Sequence, residues 1–168
     1  YTEVDEAPAL ATFSLLPIVQ AFVGAAGKLL DLLLDALMFQ KQDYYIANIV
    51  KCRPPGNRIP TDEEAEMCLP FLRNQVALIR PKIIVCLGAT AMKYVIDKNA
   101  RISQIRGQWM ERRGYWIMPT FHPAALLRDE SKKALMWEDV KKVKEKLDQL
   151  KADNRGIYDQ TGTIGTLV

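Results

Sequence analysis

His122 is the only histidine among 168 residues. It follows a β-rich stretch, Tyr115 to Met118, and sits in the segment Pro119-Thr120-Phe121-His122-Pro123, which reads as a loop. An imidazole titrates near neutral pH, so at such a place it can donate a hydrogen bond or carry a proton. A lone histidine is more often structural than functional, yet nothing in this loop calls for a ring to pack. Asn48 is a second polar residue in an unexpected place, inside Ile46-Ala47-Asn48-Ile49-Val50. A buried amide must find hydrogen-bond partners. It either ties down backbone or reads a ligand, because it offers a donor and an acceptor together.

Both residues leave the ends of candidate strands. Tyr44 to Val50 reads as a short buried strand, and Lys51 to Arg58, with Pro54-Pro55 inside it, as a rigid basic loop. The run from Ile83 to Leu87 is continuously apolar and stopped by Gly88, the pattern of a parallel strand covered on both faces. Gln108 to Glu111 and Tyr115 to Met118 flank Arg112-Arg113-Gly114 as a hairpin. Four helices complete the pattern. Ala25 to Met38 carries Leu29, Leu30, Leu33 and Leu37 on one face and Asp31 and Asp35 on the other. Thr61 and Glu64 form a capping box for a second helix, with Leu69, Leu72, Val76 and Ile79 inward and Pro81 at its end. Ala89 to Ile96 is a short third helix. From Lys132 to Lys151, Met136, Val140, Val143, Leu147 and Leu150 recur at steps of four and three.

Strands alternating with helices predict an α/β fold, a three-layer α/β/α sandwich around a mostly parallel sheet of about four strands. Sites in such sheets form in loops beyond the carboxyl ends of strands. Two segments leave there, Asn48 through Arg58 and Thr120 through Arg128. Residues 1–152 are expected to form one domain, of which 1–21 are hard to read. Residues 153–168, rich in Gly and Thr, are expected to be a poorly packed tail.

A composition of 49% hydrophobic and 26% charged residues excludes a disordered chain. No apolar run nears the ~20 residues that span a bilayer, and the stretch from Leu29 to Met38 is broken by Asp31 and Asp35. Three cysteines, an odd number, and an acidic start without a basic signal region point to a reducing, cytoplasmic compartment. The net charge of +3 permits nucleic-acid binding without arguing for it.

Four stretches together resemble the family 4, iron–sulfur type, uracil-DNA glycosylases. They are Phe22-Val-Gly-Ala-Ala-Gly-Lys-Leu-Leu30, Tyr45-Ile-Ala-Asn-Ile-Val-Lys-Cys-Arg-Pro-Pro-Gly-Asn-Arg-Ile-Pro60, Leu78-Ile-Arg-Pro-Lys-Ile-Ile-Val-Cys-Leu-Gly-Ala-Thr-Ala91 and Thr120-Phe-His-Pro-Ala-Ala-Leu-Leu-Arg128. The resemblance covers about residues 22 to 151. It implies an enzyme that flips deoxyuridine out of DNA, cuts the N1–C1′ bond and leaves an abasic site. It also implies roles for individual residues. His122 would donate to the uracil as negative charge develops. Asn48 would read the N3 and O4 edge and exclude cytosine, and Phe22 would stack on the base. Glu6 would orient or activate water. Leu126, four residues after His122, would wedge into the duplex, and Arg53, Arg58, Arg106 and Arg128 would contact phosphates. The implied partner is uracil-containing DNA, single- or double-stranded, met by a monomer.

The chain departs from this family in two places. The first motif normally reads Gly-Glu-Ala-Pro-Gly before an acidic, glycine-containing loop. Here Asp5-Glu6-Ala7-Pro8-Ala9 precedes apolar Leu10 to Val19, so the glycines that let backbone approach the base are missing. The family also holds a 4Fe-4S cluster on four cysteines. Cys52 and Cys68, sixteen positions apart, match two of them, while the N-terminal pair is missing and Cys86 reads as a core residue. The altered first motif motivates an alternative, a weak or inactive member that binds DNA or a protein partner.

Overall fold

The computed structural model describes residues 24–49, 60–153 and 165–167. Glu6, Phe22, Cys52, Arg53 and Arg58 lie outside the described residues. In chain order the elements are α1 (Ala25–Ala36), a 3-10 turn (Lys41–Asp43), β1 (Tyr44–Ile46), α2 (Asp62–Ile79), β2 (Ile83–Leu87), α3 (Gly88–Val95) and α4 (Ile102–Ile105). They are followed by β3 (Met110–Arg112), β4 (Tyr115–Thr120), α5 (Pro123–Arg128), α6 (Lys132–Asp153) and β5 (Gly165–Leu167).

β2 is buried along its whole length, and its side chains divide between two cores. Ile83, Val85 and Leu87 join Leu30 and Leu34 of α1 and Met136, Val140, Val143 and Leu147 of α6. Ile84 and Cys86 join Ala65 and Leu72 of α2 and Ala91 and Met92 of α3. Successive strand residues face opposite sides of a sheet, so helices pack on both faces.

The helix signals act as their chemistry requires. The Thr61 hydroxyl accepts the Glu64 N–H at 3.3 Å, and the Glu64 carboxylate accepts the Thr61 N–H at 2.9 Å. Such a cap is worth about 1 kcal/mol. Arg80 closes α2 in the left-handed region, φ 52°, one residue before Pro81. β3 and β4 are antiparallel, joined through Arg113 and Gly114 at φ 51° and 82°. Positive φ at both positions is what a two-residue hairpin turn needs.

The sheet differs from expectation in its count. Its order is β1-β5-β2-β4-β3, five strands among the described residues, with only the β3–β4 pair antiparallel. The added strand comes from the segment expected to be a tail: Gly165–Leu167 pairs with Tyr44–Ile46 on one side and Ile83–Val85 on the other. Three residues that include Gly and Thr carry no periodicity of their own, and their strand state comes from the two neighbours that complete their hydrogen bonds.

Candidate active site at the carboxyl ends of the strands

Because β1, β5, β2 and β4 are parallel, their carboxyl ends share one edge of the sheet. That edge receives Asn48 after β1, Gly88 after β2 and His122 after β4. Asn48 is half-buried between buried Ala47 and Ile49. β1 is shorter than expected, so Asn48 lies just past the strand rather than inside it.

His122 is not a loop residue but the N-cap of α5, with Pro123 at the first helical position. Its Nδ1 accepts the Ala124 N–H at 3.0 Å. An accepting nitrogen uses its lone pair, so the ring proton resides on Nε2. Burial pushes the His122 pKa below its ordinary value, and the nearby Arg128 charge pushes the same way. The side chain is therefore a neutral imidazole at neutral pH, with its ring proton on Nε2.

Gly88 is the site residue whose role the sequence left unread. Its φ is +91°, and a Cβ built there would stand 2.8 Å from the His122 Cβ. No L side chain fits that approach without moving the histidine. The visible signal was a strand that runs into a helix through a glycine with no linker between them.

Behind His122 the end of β4 is tied to α6. Thr120, fully buried, donates its hydroxyl to Asp139 Oδ2 at 2.7 Å. Arg106 donates Nε to Asp139 Oδ2 at 2.9 Å and Nη2 to Oδ1 at 2.6 Å. The Gly107 N–H reaches the Pro119 carbonyl at 2.9 Å. Arg106 and Lys132 also lie over the Phe121 ring, 5.7 and 5.3 Å from its centre. Asp139 has 0% exposure, and a buried carboxylate has to be paired. Arg106, expected at a phosphate, is instead the partner of that carboxylate.

Leu126 also requires correction. It is 3% exposed and belongs to the core with Leu30 and Met136. A wedge must reach beyond the surface, whereas the turn of α5 carries position 126 inward. Leu127 beside it is 50% exposed, and Arg128 is exposed at the end of the same helix.

Cys68 is half-buried on α2 and Cys86 fully buried in β2. Burial pushes the Cys86 thiol up to about 12, which suits a core group and not a thiolate ligand. Among the described residues, no group of three or more His, Cys, Asp or Glu side chains is placed to hold a metal ion. A four-cysteine cluster needs four thiolates. This chain has three cysteines, one locked in the sheet, so its residues do not fit that site. No described helix is long and apolar enough to cross a membrane.

Residues 19–144 match the family model of the uracil DNA glycosylase superfamily. The type-4 uracil-DNA glycosylase of Thermotoga maritima is 45% identical over 129 residues, covering 73% of this chain and 66% of that protein. Its counterpart in Sulfurisphaera tokodaii is 40% identical over 133 residues, covering 74% and 60%. The chain thus spans less than two thirds of the length of either relative. Residues 1–34 match another family model, monomeric isocitrate dehydrogenase. A stretch of 27 residues is 70% identical to isocitrate dehydrogenase (NADP) of Azotobacter vinelandii, covering 16% of this chain and 4% of that protein. Glu6 lies in this second range and ahead of residue 19, so its Glu-Ala-Pro triplet is outside the matched glycosylase region. Phe22 lies in both. The match from residue 19 to residue 144 takes in well over half the sequence, and with it Asn48, Gly88 and His122: the chain belongs to the uracil DNA glycosylase superfamily.

Proposed function

We propose that this chain carries out type-4 uracil-DNA glycosylase chemistry, hydrolysing the N-glycosidic bond of deoxyuridine in DNA. The observation that carries the reading is His122, a neutral imidazole fixed as a helix cap at the carboxyl edge of the sheet, with its proton on Nε2. As the N1–C1′ bond breaks, its electron pair leaves with uracil. The His122 N–H donates to the uracil oxygen that takes up that charge, water oxygen bonds to C1′ and loses a proton, and a proton added to the uracil anion balances the hydrolysis. The neutral ring suits this step because its Nδ1 is committed to the Ala124 N–H, which fixes the proton on Nε2 where it can donate to the developing charge.

Asn48 reads the N3 and O4 edge of the flipped base, and Phe22 stacks on it. Arg128, Arg53 and Arg58 meet phosphates, and Leu127, exposed where Leu126 is not, fills the space the base vacates. Glu6 as the water-orienting group draws no support from the family match, which begins after it. The two cores on opposite faces of β2 favour a three-layer α/β/α sandwich. The odd cysteine count and the thiols of Cys68 and Cys86 suit a reducing, cytoplasmic setting, with the protein acting as a monomer on single- or double-stranded DNA.

Single-turnover release of uracil from an oligonucleotide, read as alkali-labile abasic sites, tests the proposal. His122→Ala is expected to slow cleavage ~10²–10³-fold while DNA binding stays near the parental value. Cleavage at the parental rate would remove His122 from the mechanism. The second reading, a weak or inactive member that binds DNA or a protein partner, is motivated by the altered first motif, Asp5-Glu6-Ala7-Pro8-Ala9, and the similarity to type-4 enzymes does not favour it. Binding with no cleavage by the unmodified chain would select it.

A further inference from the structure

We propose that a cavity at the opposite, amino-terminal end of the sheet binds a free nucleoside phosphate. The cavity is a cleft, open to solvent, of about 740 Å³ between α2, α3 and the β3–β4 hairpin. Small-molecule sites typically run from about 300 to 1,000 Å³. Its floor is apolar, with Ile84 and Ile117 of the sheet among its lining. Its walls carry the rings of Tyr94 and Tyr115, and its rim carries Arg73, Arg112 and Arg113.

Two features separate this cavity from an ordinary gap between helices. The first is charge. None of the residues lining it is acidic, and among the described residues no ion pair joins any of the three arginines to a carboxylate. Three guanidinium groups around one opening create a site for an anion, and the planar fork of arginine matches phosphate oxygens in pairs. The second is that parts of the wall are held in place. The Tyr94 hydroxyl donates to the Asp62 carboxylate, which also takes the Lys93 ammonium at 2.7 Å. Arg112 donates to the Ile96 carbonyl at 2.5 Å. A ring and a guanidinium fixed before binding lose little freedom when a ligand arrives.

Phosphate alone would leave the apolar floor and both rings unused, and an uncharged ring would leave three cations unanswered. A planar base joined to a phosphate uses both halves, since rings stack on aromatic side chains while guanidinium groups hold the anion. The occupant is distinct from DNA held at the candidate active site. Tyr115 and the hairpin turn stand at the start of β4, whereas His122 follows its end. At roughly 3.3 Å per residue, the strand runs about 16 Å from Tyr115 to Thr120 and about 10 Å from the floor residue Ile117, so the two places lie apart along it.

Calorimetric titration of the whole chain with ADP tests the assignment, with adenosine and inorganic pyrophosphate as half-ligands and a thymidine oligonucleotide as a strand without uracil. ADP is expected to bind at one equivalent, at least about tenfold more tightly than either half. Arg73→Ala combined with Arg113→Ala, both exposed positions, is expected to weaken ADP by at least about tenfold with the melting temperature and uracil release unchanged. Tyr115→Leu, made separately, should lower affinity for ADP and leave pyrophosphate binding unaltered. The proposal is overturned by absence of ADP binding at millimolar concentration, by equal affinity for ADP and pyrophosphate, or by an arginine double variant that binds ADP as the parent does. An oligonucleotide that displaces ADP and binds more tightly would also overturn it and assign the cavity to a nucleic-acid strand.

Discussion

At the carboxyl ends of β2 and β4 the two backbones close on each other, with no room for a Cβ between Gly88 and His122. At the amino ends of the same strands, the hairpin, α2 and α3 stand apart around about 740 Å³ of space. The difference lies in side chains and not in the sheet, whose β2–β4 register is continuous from Ile83↔Trp116 to Leu87↔Thr120. One end combines a glycine, a helix cap and a buried carboxylate that ties β4 to α6. The other is lined by tyrosines and arginines too large to collapse together. Close packing is found where a ring must be aimed, and space is left where nothing in the sheet demands closure.

The largest expected effect lies in the tie behind His122. Asp139→Ala removes the partner of Arg106 and Thr120, and breaking a buried pair typically costs about 3–5 kcal/mol. Arg73→Ala at the open end should change stability by less than ~0.5 kcal/mol. Urea unfolding of the two variants measures the contrast, and equal losses would erase it.

Leu126 and Leu127 sharpen the same contrast within one helix. Leu126→Ala should lower stability by about 2–5 kcal/mol, the range for a buried leucine. Leu127→Ala should leave unfolding nearly unchanged and instead slow excision from duplex DNA. If Leu126→Ala unfolds like the parent, the packing of α5 against α1 and α6 is not what holds the helix.

Gly88→Ala should act mainly on the histidine. Left-handed backbone costs an alanine about 1–2 kcal/mol, and the added Cβ displaces the His122 ring. A displacement near 1 Å is worth about 10²-fold in a positioned reaction. A variant of parental rate and melting temperature would mean that the close approach is not required.

The smallest effect concerns pH. The folded His122 pKa lies below the ordinary value, so the unfolded chain binds the proton more readily. Stability from this group is complete above about pH 6.5 and declines as pH falls through that value toward the folded pKa. Protonation also removes the lone pair that caps Ala124. His122→Asn, an N-cap that does not titrate, should flatten this part of the stability profile. An unchanged slope would assign it to the carboxylates.

Much of the fold was legible because several elements carry local signals. The Thr61–Glu64 box starts α2, the apolar run at Ile83–Leu87 is β2 residue for residue, and the four–three spacing of α6 names its buried face. What stayed hidden has no local signature. Asp139 interrupts nothing in the apolar spacing of α6 and looks like one more charge on a solvated helix. Leu126 and Leu127 are indistinguishable until the start of α5 is known. The Glu6 assignment has a different standing: it rests on the three residues Glu6-Ala7-Pro8, which lie ahead of the matched glycosylase range and inside a stretch similar to another family.

By itself the sequence determined the α/β alternation, the choice of Asn48 and His122 as polar residues near strand ends, and the family they share. Periodicity, capping chemistry and long motifs are written in neighbouring residues, so these needed no third dimension. The tertiary structure alone decided that Gly165–Leu167 is a strand, that Arg106 is spent on Asp139, and that Gly88 gives His122 its room. In each case the determining partner lies far away in the chain. Strand pairing, the cost of burying an unpaired carboxylate and the clash of one Cβ with another depend on distances that only folding sets.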